Sequence, residues 1–106
     1  IGSLSALGGF TMIDSRVTLG QGVVTHPWVI IGEGAMIGLN SSVIRDVSPF
    51  AKMAGSPARL LGTNTKRAPG APADYSETAF GLDVWERFAA LGDARDDARN
   101  AYAESK

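Results

Sequence analysis

The sequence predicts an all-β domain, a parallel β-helix built from six-residue repeats, followed by a small C-terminal α-helical region. Three columns of residues carry that expectation. Read in steps of six from Ile1, the chain gives Ile1, Leu7, Ile13, Leu19, Thr25, Ile31, Ile37, Val43 and Pro49, of which seven are aliphatic. The residue after each is Gly2, Gly8, Asp14, Gly20, His26, Gly32, Gly38, Ile44 and Phe50, of which five are glycine. Four residues past each aliphatic position lies a small or β-branched side chain: Ser5, Thr11, Val17, Val23, Val29, Ala35, Ser41 and Val47. A period of six matches neither a 3.6-residue helix nor an open alternating strand. It is the mark of stacked coils.

Each hexad then reads as one short strand and one tight turn. The aliphatic and small columns point inward, and the glycine beside the aliphatic residue is expected to supply the backbone geometry of a sharp corner. Three hexads make a triangular coil, so residues 18 apart stack at roughly 4.8 Å. Residues 1–62 are expected to form the coils, 63–75 a linker and 76–106 a helical extension. Ile1 to Ala54 supplies about three coils, near the minimum for a continuous core. Ile1 is already in phase with the repeat, so further coils are expected before it.

Along the chain, Gly8-Gly9 reads either as a plain turn or as a bare backbone N–H able to face an oxyanion. His26, the sole histidine, falls on a corner and should project toward solvent or a neighbouring subunit. Pro27 and Trp28 follow it, one stiffening the backbone and the other offering a flat apolar surface. Gly38-Leu39-Asn40 is a turn in which Asn40 tolerates positive φ. Leu39, apolar and outward on a corner, calls for a subunit or a ligand chain to cover it. Pro49 and Pro57 interrupt strand pairing and should close the top coil, with the chain leaving the stack through Gly55 to Arg59. Ser76 is placed to cap a helix presenting Phe80, Val84, Trp85, Phe88 and Leu91 on one face and stopping at Gly92. Asp93 would open a second helix with Ala94, Ala98, Ala101 and Tyr102 along it.

Composition removes several classes of function. A net charge of −1 over 106 residues argues against a nucleic-acid surface. No run of 18 apolar residues provides a membrane span, and no charged leader precedes an apolar stretch. With no cysteine, disulfides, thiolate metal sites and a cysteine nucleophile are excluded together, and a cytoplasmic setting is the default. One histidine per chain could bind a metal only across a symmetry axis, so no metal is expected.

The stretch VIRDVSPFAKMAGSPARLLG, residues 43–62, resembles the closing coil of hexapeptide-repeat acyltransferases, with Ser48 and Ser56 where that pattern has Pro and Asn. From Leu7 to Asn64 the chain also resembles the acyl-[acyl carrier protein]–UDP-N-acetylglucosamine O-acyltransferases of lipid A synthesis. The resemblance implies a left-handed coil, a homotrimer, and transfer of an acyl group from a pantetheine thioester, on acyl carrier protein or coenzyme A, to a hydroxyl or amine of a sugar-nucleotide-like acceptor. No bound cofactor is implied. In such a site a histidine base takes the acceptor proton and a backbone N–H stabilises the tetrahedral oxyanion.

Matched residue by residue, Gly9 takes the oxyanion-donor position and His26 lines the cleft between subunits. Leu39 takes the position that limits acyl length, which implies a short acyl group, and Asn64 contacts ligand. Phe10 and Asn40 fall beside these, and Lys52, Arg59, Lys66 and Arg67 are the cations nearest to meet phosphates. The family's general-base histidine would precede Ile1, so the chain is expected to be a fragment lacking it. Phe10 stands where the family has a second cleft histidine, Pro27 replaces a polar residue, and the arginine-rich segment that holds the nucleotide sugar is replaced by TKRAPGAPAD. Two alternatives stay open: a coenzyme-A-dependent sugar or amino-acid acetyltransferase, and a non-catalytic β-helix used for assembly.

Overall fold

A computed structural model describes residues 1–64 and 79–105, the side chains of 79–83 excepted. Six two-residue strands turn around a common axis: β1 (Met12–Ile13), β2 (Thr18–Leu19), β3 (Val24–Thr25), β4 (Ile30–Ile31), β5 (Met36–Ile37) and β6 (Ser42–Val43). They pair in parallel with partners 18 residues on, as Met12 with Ile30, Thr18 with Met36 and Val24 with Ser42. Main-chain bonds run from coil to coil, among them Asp14 N–H to Ile31 O (2.9 Å) and Gly20 N–H to Ile37 O (2.9 Å). Three narrow sheets result. Leu19, Val23, Val29, Ile31, Ala35, Ile37, Val43 and Val47 fill the space between them and are at most 4 % exposed. The aliphatic and small columns are therefore the two inward positions flanking one outward residue of each strand.

The corners work differently from the expectation. The residue with positive φ is three past each aliphatic position, not one: Leu4, Phe10, Arg16, Gly22, Trp28, Gly34 and Asn40, all between 56° and 73°. Four of those seven are neither glycine nor asparagine, each at a cost of order 1–3 kcal/mol that the repeated turn must absorb. The glycines beside the aliphatic column serve coil spacing instead. A Cβ on Gly20 would lie 2.6 Å from Leu39 N, and one on Gly32 would lie 2.6 Å from Pro49 N.

The regular step also ends earlier than predicted. Ile31 bridges to Val47 and Met36 pairs with Lys52, steps of 16 rather than 18. The last coil is thus two residues short, and Pro49 sits buried on the Gly32 turn instead of continuing the aliphatic column. The chain then does not leave the stack at Gly55. β7 (Ala51–Gly55) turns at Ser56-Pro57 into β8 (Ala58–Thr63), which returns antiparallel along β7 and extends the second sheet to the order β2-β5-β7-β8.

One helix, α1 (Ala79–Glu104), replaces the predicted pair and runs straight through Gly92. A single interior glycine costs about 1 kcal/mol, and the surrounding Ala, Leu, Glu and Arg are strong helix formers. The predicted Ser76 cap and the 63–75 linker beyond Asn64 lie outside the described residues. α1 crosses β4, covering the outward-facing Ile30, which is 0 % exposed. Val84 is buried against Phe50. Beyond that contact the helix is fastened by arginines. Arg87 donates to Asp14 Oδ2 (2.8 Å) and to the buried Glu33 Oε2 (3.0 Å). Arg95 donates to Asp46 Oδ1 (2.7 Å) and Trp28 O (3.0 Å). Ala94, Ala98 and Ala101, expected to pack, are exposed.

Candidate active site

Three stacked turns, residues 8–10, 26–28 and 44–46, make the corner that carries His26. Beneath it the aliphatic column breaks at Thr25, and the break has a physical use. Gly8 N–H donates to Thr25 Oγ1 (2.9 Å), the Thr25 and Thr11 hydroxyls lie 3.0 Å apart, and Thr11 Oγ1 donates to Gly8 O (2.6 Å). With the Thr11 proton on that carbonyl, the proton between the hydroxyls comes from Thr25, and the ring closes. Both polar groups of Gly8 are fixed. The Gly8–Gly9 peptide is trans and planar, so a carbonyl held toward Thr11 turns the Gly9 N–H away from it. No acceptor among the described residues takes that N–H. A Cβ on Gly9 would meet nothing within 4 Å and its φ is not positive, so neither crowding nor conformation demands glycine there.

His26 is exposed on the same corner, with Nδ1 3.0 Å from Pro27 O. A carbonyl only accepts, so in that contact Nδ1 is the donor. Phe10 stacks on Trp28 with ring centroids 4.2 Å apart and planes 9° from parallel, and Tyr102 of α1 tilts against both rings. Between the turns and α1 opens a cleft lined by His26, Trp28, Ile44, Arg45, Asp46, Arg95 and Arg99. The bond to Asp46 holds the Arg95 guanidinium proton more tightly than in a free arginine, against the opposing effect of burial. Asp14 does the same for Arg87. The stability linked to a raised pKa is lost only as pH climbs through it, so neither arginine gives up its tether by deprotonating near neutrality.

The remaining expected residues lie elsewhere. Leu39 is 69 % exposed on a second corner (20–22 and 38–40), where Asn40 has φ 56°. Lys52, half-buried on β7, pairs with Met36, and Arg59 is exposed on β8. Asn64, expected at a ligand, is buried at the third corner, its Nδ2 donating to Gly34 O (2.8 Å) and its N–H to Phe50 O (2.6 Å). That amide N–H serves the fold. Lys66 and Arg67 lie outside the described residues. One chain therefore joins Gly9, Phe10 and His26, and keeps them on a different corner from Leu39 and Asn40. Sequence reasoning missed Thr11, Thr25 and the α1 arginines. Thr25 had a signal, a hydroxyl standing in a column of Ile, Leu and Val; Arg95 and Arg99 had none. Among the described residues no group of carboxylates and histidine is placed to hold a metal, and no helix is long and apolar enough to cross a membrane.

Known proteins give a consistent picture over the coils. A probable macrolide acetyltransferase of Lysinibacillus sphaericus is 43 % identical over 53 residues, 50 % of this chain and 29 % of that protein. An acyl-[acyl-carrier-protein]–UDP-N-acetylglucosamine O-acyltransferase of Gloeothece citriformis is 36 % identical over 75 residues, 68 % of this chain and 27 % of its own length. A crystal structure of PerB from Caulobacter crescentus, in complex with CoA and GDP-perosamine, superposes with a TM-score of 0.57 at 34 % identity, covering 57 % of this chain and 30 % of the other. This chain thus spans less than a third of each of these three proteins. No protein-family profile matches it.

Proposed function

Because its coils are homologous to those of hexapeptide-repeat acyltransferases, we infer that the chain is part of an enzyme moving a short acyl group from coenzyme A to a hydroxyl or amine. The observation that carries this reading is the likeness in both sequence and structure to the PerB coils, in a complex that holds CoA and a nucleotide sugar. The corner geometry supports it. The Thr11–Thr25 ring fixes the Gly8 carbonyl and leaves the Gly9 N–H without an acceptor among the described residues, which suits it to serve as an oxyanion donor preorganised before charge develops. His26, exposed on the same corner, is the side chain placed to meet the acceptor nucleophile.

Leu39 and Asn40 lie on another corner of the prism, so they reach this site only from a neighbouring copy. That placement fits an assembly of copies, read here as a homotrimer, with Leu39 closing the acyl groove and Lys52 and Arg59 at its rim. The longer match to the O-acyltransferase favours a second reading, with acyl carrier protein as donor and a UDP-sugar as acceptor.

Titration of the chain with coenzyme A, and separately with acyl carrier protein, tests both, because binding requires no proton acceptor. Coenzyme A is expected to bind, and Leu39→Gly to shift preference from acetyl toward longer acyl-coenzyme A. Binding of the carrier protein alone selects the second reading. An assembled trimer that binds neither donor overturns both and leaves a non-catalytic scaffold.

A further inference from the structure

We propose that the cleft between α1 and the His26 corner seats a phosphate group of a phosphorylated substrate, held by Arg45 and Arg99 with Arg95 behind them; this rests on the coenzyme-A reading only for which substrate brings the phosphate. The cleft is open-sided with ≈ 520 Å³ of space, enough for a diphosphate and part of its nucleoside. Its lining is unbalanced in charge, three arginines against the single carboxylate of Asp46.

The three arginines do different work. Arg95 is only 12 % exposed in its side chain and bonds Asp46 Oδ1, Asp96 Oδ1 and Trp28 O, so it is committed to the tether. Asp46 is equally committed, accepting from Ile30 N–H (2.9 Å) and from Arg95. Arg95 therefore pairs with both Asp46 and Asp96 and is left out of the count of donors open to an anion. Arg99 reaches Asp96 through a single 3.2 Å contact half exposed to water, a pair weakened by solvent screening. Arg45 is exposed and takes no ion pair among the described residues. Two guanidinium groups are thus left facing one cleft with donors to spare, and a phosphate accepts such donors in pairs. His26 and Trp28 belong to the same lining.

Trp28 provides the readout. In a Trp85→Phe background its emission reports on the cleft alone, since these are the two tryptophans of the chain. Titration of the full chain with inorganic pyrophosphate is expected to change that emission saturably, with affinity falling as salt rises. The double variant Arg45→Gln/Arg99→Gln, whose helix content should match the parent, is expected to bind about tenfold more weakly or less. Coenzyme A competing with pyrophosphate assigns the phosphate to the donor, and a nucleoside diphosphate competing instead assigns it to the acceptor. No saturable change with pyrophosphate, or equal affinity in the folded double variant, overturns the proposal. Coenzyme A binding untouched by the double variant would leave the acyltransferase standing while removing this site. Pyrophosphate binding without coenzyme A binding would do the reverse.

Discussion

The coils and the helix that lies on them are held by opposite means. In the coils, Leu19, Val29, Ile31, Ile37 and Val43 repeat at six-residue intervals or their inward neighbours and exclude water almost completely. The helix buries Val84 on Phe50 and covers Ile30, but its reach to both ends of β4 depends on Arg87 and Arg95 finding carboxylates more than 45 residues away in sequence. The first arrangement tolerates little change in volume; the second tolerates little change in charge. This difference separates what each region contributes: the coils fix the Gly9 and His26 corner, and the helix supplies charge and aromatic surface beside it.

Removing core volume should have the largest effect. Ile31→Ala, at a fully buried position, is expected to cost about 2–5 kcal/mol, read as a fall in the denaturation midpoint of the coils. A pair of glycine substitutions sharpens the point. Gly32→Ala must push against Pro49 backbone and should lose about 1–3 kcal/mol, whereas Gly9→Ala, with open space around it, should leave stability unchanged. Equal losses at the two glycines would contradict the coil-spacing account. Arg87→Met strips the buried Glu33 of its shorter ion pair, leaving Arg16 at 3.7 Å, and should cost about 1–3 kcal/mol. Hydrogen exchange should show that loss in α1 while β4 and β5 stay protected. The smallest change has the opposite sign: Gly92→Ala should stabilise α1 by about 1 kcal/mol, while a destabilisation would indicate the break that the sequence predicted there.

How much of this was legible follows the same division. The coils could be read because inward positions recur at a fixed interval and accept only Ile, Leu, Val or small residues. The corners were misread because their positive-φ positions carry Leu4, Phe10, Arg16 and Trp28, residues that local preference never assigns to such a conformation; the stack imposes it. The shortened last coil was hidden because Pro49 falls on the six-residue count while Val47 makes the actual bridge. Gly92 read as a stop because a helix end and a tolerated interior glycine look the same without the packing of Val84 and the tethers at Arg87 and Arg95. Of the site, Gly9 and His26 were visible by their place in the repeat. The threonine ring showed only as one polar residue in an apolar column. The arginines of α1 belonged to no pattern, since their positions are set by contacts across the fold.

The proposed coenzyme A site lies where the Gly9–His26 corner of one copy meets the Leu39 corner of another. Its most direct test is coenzyme A titration of the chain across a range of protein concentrations, with the oligomeric state followed by sedimentation in the same samples. The account predicts one coenzyme A per chain, binding that appears only with the trimer, and loss of binding where dilution gives monomers. Full-affinity binding by the monomer, or a trimer that leaves coenzyme A unbound, would contradict it.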